Sequence, residues 1–415
     1  MIDNKEFRHN HYVPEWYQRR FLPSGQGKYH YLDLKPDTDE RNGHRFTRRA
    51  LQHWGPASCF AQDDLYTVKA GSFLNTEIEH FFFGEIDRNG KAGVEYFGAF
   101  AHPDADDRAF QDLMTYMSVQ KLRTPKGLGW LAQVAKSQHR SLTLMHLQAL
   151  QNMFCAIWTE CVWQIADATQ SPVKFIISDH PVTIYNRGCF PGSVHCVGFN
   201  DPDIRQVASH TYFPLSAENI LILTNLAWVR NPYQSELKFR PNPNFFRNAM
   251  FKYTRIQLHR SLSEQEVLEI NYITKRRAFR YIAGAQKEWL YPEERLSSTQ
   301  WRKFGKGYLL MPEPREIHMG GQIYISYKGG RHDAFGEYGH KAWELGFEDK
   351  ERMRDESRTL DRFKAEFAVM QGPAWRGTSF EFGRKGPYVD SDEFHQLYVR
   401  KACQHRKRGK AHKAT

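Results

Sequence analysis

Hydrophobic and polar positions change period several times along the chain, and each change predicts an element. Near the start, Tyr29, Tyr31 and Asp33 fall on one side and His30, Leu32 and Leu34 on the other, the alternation of a strand. Pro36 and the polar run 37–43 form a loop closed by Gly43 before Arg45-Phe46-Thr47, and Leu65-Tyr66-Thr67-Val68 is a second short strand. Ile78, Phe81, Phe82 and Ile86 carry helical spacing, with Asn75 or Thr76 as the cap. Phe110, Leu113, Met114, Met117 and Lys121 step by three and four, and that helix stops at Arg123-Thr124 because Pro125 disfavours a helical residue before it. Leu147, Leu150, Phe154, Ile157, Cys161 and Ile165, widened by Trp158 and Val162, predict the central core helix.

The pattern then turns to strand. Val173-Lys174-Phe175-Ile176-Ile177 is a β-rich run ended by Ser178-Asp179-His180-Pro181. Thr211-Tyr212-Phe213 and Ile220-Leu221-Ile222-Leu223 flank a turn and predict a small antiparallel sheet. Ser263 and Glu266 form a capping box for a helix running to about Glu288. Beyond Pro292 the chain becomes glycine-rich, with a strand at Ile323–Tyr327, a turn at Gly329-Gly330 and a charged helix over 350–371. The prediction is an α/β (α+β) fold, with a mixed or antiparallel small sheet packed against several core helices and a C-terminal extension. Residues 1–295 form the α/β domain, 296–399 the glycine-rich strand and helix extension, and 400–415 a basic tail.

Composition narrows the class. With 40% hydrophobic and 14% aromatic residues over 415 positions, a sizeable core is available and general disorder is excluded. No apolar run is long enough to span a bilayer, no signal peptide is visible, and six cysteines without Cys-x-x-Cys spacing read as reduced thiols. A cytoplasmic protein without a membrane partner is expected. Seven of the net eleven positive charges lie in residues 400–415, leaving +4 on the rest. Arg406, Lys407, Arg408 and Lys410 in this tail can bind nucleic acid through its phosphates, or serve only as a solvated end.

Four motifs in order resemble the bacterial family called domain of unknown function 4238. They are His11-Tyr12-Val13-Pro14 with Tyr17 and Phe21, Gln120-Lys121-Leu122-Arg123-Thr124-Pro125, Ile177-Ser178-Asp179-His180-Pro181-Val182, and Phe213-Pro214-Leu215-Ser216. A weaker fifth runs from Asn271-Tyr272-Ile273 to Arg280-Tyr281-Ile282. The resemblance covers roughly residues 8–290 and implies an α/β domain without an established activity. Asn10 and His180 depart from the family pattern, which more often has His and Asn there.

Two readings of these residues stand side by side. In the first, the protein is a phosphodiesterase or nuclease of bacterial defence or conflict. His11 and Asp179 carry the chemistry, Arg123 holds phosphate, and Asp179 at a strand end holds a divalent metal or activates water. Arg8, Arg19 and Arg20, interleaved with Trp16, Tyr17, Phe21, Tyr29 and Tyr31, suit stacking on bases and contact with phosphates. Glu236-Leu237-Lys238 could complete a restriction-type acidic core. In the second, the protein is a non-enzymatic nucleic-acid- or protein-binding module. There His11 bonds a carbonyl, Asp179 caps a turn, and Arg123 pairs with Asp179 or Glu77 as a fold anchor. The readings differ in geometry: a shared site requires His11, Arg123 and Asp179 to converge.

Overall fold

The computed structural model describes residues 9–309 except 42–43, 71–72, 76–81, 205–208, 226–250 and positions 138, 160, 188, 192 and 252. Beyond them it describes 322–326, 330, 332–336 and 343–345. The fold is α+β. At its centre is a five-stranded sheet in the order Thr183–Asn186, Ser209–Pro214, Asn219–Thr224, Val162–Asp167, Gln257–Ser261. All neighbours are antiparallel except the last pair, which is parallel.

Both faces of this sheet are covered, which explains why Ile220-Leu221-Ile222-Leu223 is apolar without interruption. Leu221 and Leu223 enter one core, with Ile165, Phe213 and Ile184. Ile220 and Ile222 enter the other, with Ala166, Tyr212 and Tyr185. The first core is closed by the helices Gly84–Gly98 and Asp107–Arg123 and by the N-terminal rings Tyr12, Tyr17 and Phe21. The second is closed by the helix Glu264–Arg277 and by Trp301, Phe304, Tyr308 and Leu309. The first two helices approach closely at Gly93, where a Cβ would lie 2.8 Å from the Leu113 backbone nitrogen and 2.9 Å from the Ala109 carbonyl.

A second, antiparallel sheet runs Ile177–Ser178, Tyr281–Gly284, Tyr29–Asp33, Leu51–Trp54. The predicted hairpin of Thr211–Phe213 with Ile220–Leu223 is present, as is the strand at 322–326, paired with His332–Gly336. No helix among the described residues is long and apolar enough to cross a membrane.

Several sequence expectations fail here. The polar run 37–43, expected as a loop, contains the strand Thr38–Arg41, paired with His44–Thr47. Of the β-rich run Val173–Ile177 only Ile177 lies in a strand, with Ser178. The stretch expected as one central core helix is two short helices, Arg140–Ala149 and Cys155–Thr159, followed by the strand Val162–Asp167. Branched and aromatic side chains there alternate, Trp163 and Ile165 toward one core and Val162 and Ala166 toward the other, so period two prevails. Leu65-Tyr66-Thr67 lies between the strands Ala61–Asp63 and Val68–Ala70 rather than in a strand of its own. The capping box of Ser263 and Glu266 forms, but its helix ends at Arg277, well before Glu288. The next residues surrender their amides to Asp179 and then pair with Tyr29–Asp33.

Candidate functional site

The family-like motifs are spread over the chain, yet they hold one another. Gln120 donates its side-chain amide to the Tyr12 carbonyl at 2.8 Å, tying the second motif to the first. Tyr17 donates to the Pro214 carbonyl at 2.5 Å and stacks on Phe213, and Arg20 donates to Leu215, tying the first to the fourth. Asp179 accepts the backbone N–H groups of Phe279, Arg280 and Tyr281 at 2.8, 2.6 and 2.8 Å, tying the third to the end of the fifth. Asn271 accepts from the Ile176 amide and donates to the Lys174 carbonyl, closing the same seam.

The three residues expected to share a site each have separate partners. His11 lies on a short strand, 3.3 Å from the Ala57 carbonyl and 3.8 Å from the Glu15 carboxylate. Burial lowers its pKa, with Glu15 opposing. His9 faces the same side, its ring 5.1 Å from that of His11, and contacts Asp63 at 2.7 Å. Arg123 is fully enclosed. Its Nε donates to Gln120, its Nη2 is 2.7 Å from Asp87, and the rings of Phe83 and Tyr116 lie beside it. The ion pair of Arg123 is therefore with Asp87, not Asp179; Glu77 lies outside the described residues. Burial pushes the Asp179 carboxyl up to about 6, with the three amides pulling the other way.

Arg19 is exposed and paired with Glu15, and Arg20 is tied to Leu215. Trp16, Tyr17 and Phe21 pack in the first core rather than presenting open faces to bases. Arg8, the acidic candidate at 236–238, the expected helix at 350–371 and the tail residues Arg406, Lys407, Arg408 and Lys410 fall outside the described residues.

A different set of residues converges. Lys121, two residues before Arg123 at the end of the helix, points about 200° away from Arg123 around the axis. Its ammonium sits 2.7 Å from Asp201 Oδ2 and 3.2 Å from His180 Nε2. Lys126, in the first turn of the helix Pro125–Val134, holds the other Asp201 oxygen at 2.5 Å and donates to the Arg277 carbonyl at 2.9 Å. His180 Nε2 lies 2.9 Å from Asp201, and its Nδ1 is 2.8 Å from the hydroxyl of Thr124. That hydroxyl also accepts the Gly127 amide, capping the helix. This geometry selects one tautomer: Nε2–H donates to Asp201 and Nδ1 accepts from Thr124. Gly127 is required here, because a Cβ would strike the carbonyls of Lys121 and Leu122.

Of these polar groups Lys121, His180 and Asp201 form the floor of a cavity of about 250 Å³. Its walls are chiefly apolar, with Trp130, Met153, Phe154, Ile157, Phe199 and Ile204 facing the space. Burial lowers the pKa of Lys121, with Asp201 opposing. Burial would raise Asp201, but Lys121 and Lys126 hold it well below the usual carboxylate range. His180 is depressed to about 4 by burial and then by Lys121, so the imidazole is neutral. The floor therefore carries an ammonium, positioned by a carboxylate, that can donate to an oxygen acceptor and stabilise negative charge on it. Among the described residues, no group of three or more His, Cys, Asp or Glu side chains is placed to hold a metal ion.

The model of a family described as protein of unknown function, DUF4238, matches residues 9–288. The chain belongs to this family. No curated protein and no solved structure matches it. The DUF4238 region contains both the clamps and the cavity floor. Lys121 and His180 stand inside motifs visible in the sequence, beside the residues first singled out. Lys126 and Asp201 carried no comparable signal. Asp201 lies in an irregular segment, Asn200-Asp201-Pro202-Asp203, and only folding brings it against two lysines 75 and 80 positions away.

Proposed function

We propose that this DUF4238 protein acts through the cavity above Lys121, binding a small organic molecule with an apolar body and a carbonyl or carboxylate oxygen. The observation that carries this reading is the pairing of apolar walls with the buried ammonium of Lys121, fixed by Asp201. Such pockets take affinity from their walls and orientation from a few polar groups. In this reading His11, Arg123 and Asp179 are anchors that hold the floor in place.

The test is a titration with phenylacetate, 3-phenylpropionate and 4-phenylbutyrate, followed by calorimetry. Saturable binding is expected, weakened about tenfold or more in Lys121→Met and lost in Ile157→Trp, which fills the cavity. If none of the acids binds, or if binding survives both substitutions, the reading is wrong.

The phosphodiesterase reading, with a nucleic-acid substrate, keeps one specific support: a carboxyl near 6, as at Asp179, suits proton transfer at neutral pH. It requires nuclease activity that Asp179→Asn abolishes while Lys121→Met leaves it intact.

A further inference from the structure

On the far side of the Lys126–Asp201 pair lies a second concavity of about 460 Å³. Five of its lining residues are cationic, Lys35, Lys126, Lys275, Arg276 and Arg277, and none is acidic. Their carboxylate partners do not balance them. Lys275 has Glu293 at 2.6 Å, and Lys126 shares Asp201 with Lys121. Lys35 stands 4.9 Å over the ring of Phe279, and Arg276 is exposed. Neither pairs with a carboxylate among the described residues.

Arg277 is the telling member. It is 2% exposed. Nε and Nη2 reach the carbonyls of Ile184 and Cys189 at 3.1 and 2.6 Å, and the plane lies 4.7 Å from the ring centre of Trp301. Carbonyls and a ring solvate a guanidinium without cancelling its charge. Among the described residues no carboxylate does so. A buried charge left uncompensated is unfavourable, and an incoming anion removes that penalty. Three such cations in one concavity favour a ligand with several negative oxygens over a single carboxylate. The volume exceeds what a lone phosphate fills, and Leu34, Pro191 and Phe279 provide apolar wall for an organic portion.

We infer that this cleft, framed by Lys35, Arg276 and Arg277, is a binding site for an organic phosphate, either a free nucleotide-sized phosphoester or the backbone of single-stranded nucleic acid. The site is separate from the cavity above Lys121 and does not depend on it.

The test uses the full chain, with pyrophosphate and AMP titrated by calorimetry and a fluorescent twelve-nucleotide oligothymidylate titrated at several salt concentrations. The main variant, Lys35→Glu with Arg276→Glu, alters two exposed side chains and leaves the buried Arg277 in place. Ile157→Trp, which fills only the other cavity, is the control. Binding of at least one probe is expected, weakened about tenfold or more by the double reversal and unchanged in the control. If the polymer is the ligand, its salt slope also falls by about two. AMP or pyrophosphate binding without the oligonucleotide assigns a free phosphoester, and the reverse assigns the polymer. Absence of binding by all three probes overturns the inference. So does binding whose affinity and salt slope survive the double reversal, which would place the phosphates elsewhere, for instance on the basic tail.

Discussion

Asp179 and Asp201 are both buried, yet their carboxyls move to opposite sides of the ordinary 3.8 because their partners differ. Asp201 faces two ammonium groups, whereas Asp179 faces three backbone amides and little compensating charge. Asp179→Asn should therefore cost about 2–3 kcal/mol in chemical denaturation. Asparagine has one acceptor oxygen where three N–H groups converge on two, and its own NH₂ meets the remainder. A variant as stable as the wild type would show that the clasp is idle. Asp179 and its neighbour His180 give a pH test. The folded pKa of His180, about 4, lies below the ordinary 6.5. On acidification through that window the unfolded chain takes up a proton that the folded chain refuses, and stability falls. Asp179 acts oppositely: between about 4 and 6 the folded chain holds a proton that the unfolded chain lacks, a contribution lost as pH rises through 6. Asp179→Asn removes the opposing slope, so its stability should fall more steeply from pH 6.5 to 4 than the wild type's. Equal slopes in thermal melts across that range would contradict the assignment.

Among elements, the two helices of the first core meet with a glycine at the contact. Gly93→Ala should cost about 1–3 kcal/mol by driving a methyl into the backbone of the Asp107–Arg123 helix. Melting temperature checks this, and an unchanged value would mean that the helices part without penalty. The sequence made several of these elements legible because their signals are local. Pro125 ends a helix, Ser263 and Glu266 begin one, and Ile220–Leu223 is a doubly buried strand. It misled where tertiary pairing decided the outcome. Val162–Asp167 satisfies a helical stripe and a strand alternation equally, and only its place between two partner strands chooses. The Glu264–Arg277 helix ends because a carboxylate 100 residues away captures the next amides. The site was half legible for the same reason. Lys121 and His180 sit in motifs, but their meeting with Asp201 depends on a loop without periodicity.

At the scale of the whole molecule, the central sheet separates two cores, and residues of the family motifs lie in both. Residues past the DUF4238 match finish the second core. Tyr185 donates to the carbonyls of Trp301 and Phe304, and Trp301 donates to that of Asn186. Trp301→Ala should lose about 3–5 kcal/mol, as large buried rings do, and a loss below about 1 kcal/mol in denaturant unfolding would show that this segment is peripheral. In the proposed function the motifs hold Lys121 and His180 in the floor of one cavity. The most direct measurement is a crystal structure of the protein with 3-phenylpropionate. The ring is expected between Trp130 and Phe154, with a carboxylate oxygen within hydrogen-bond distance of Lys121 Nζ. A probe ordered instead against His11, Arg123 or Asp179, with the cavity above Lys121 empty, would contradict the proposed function.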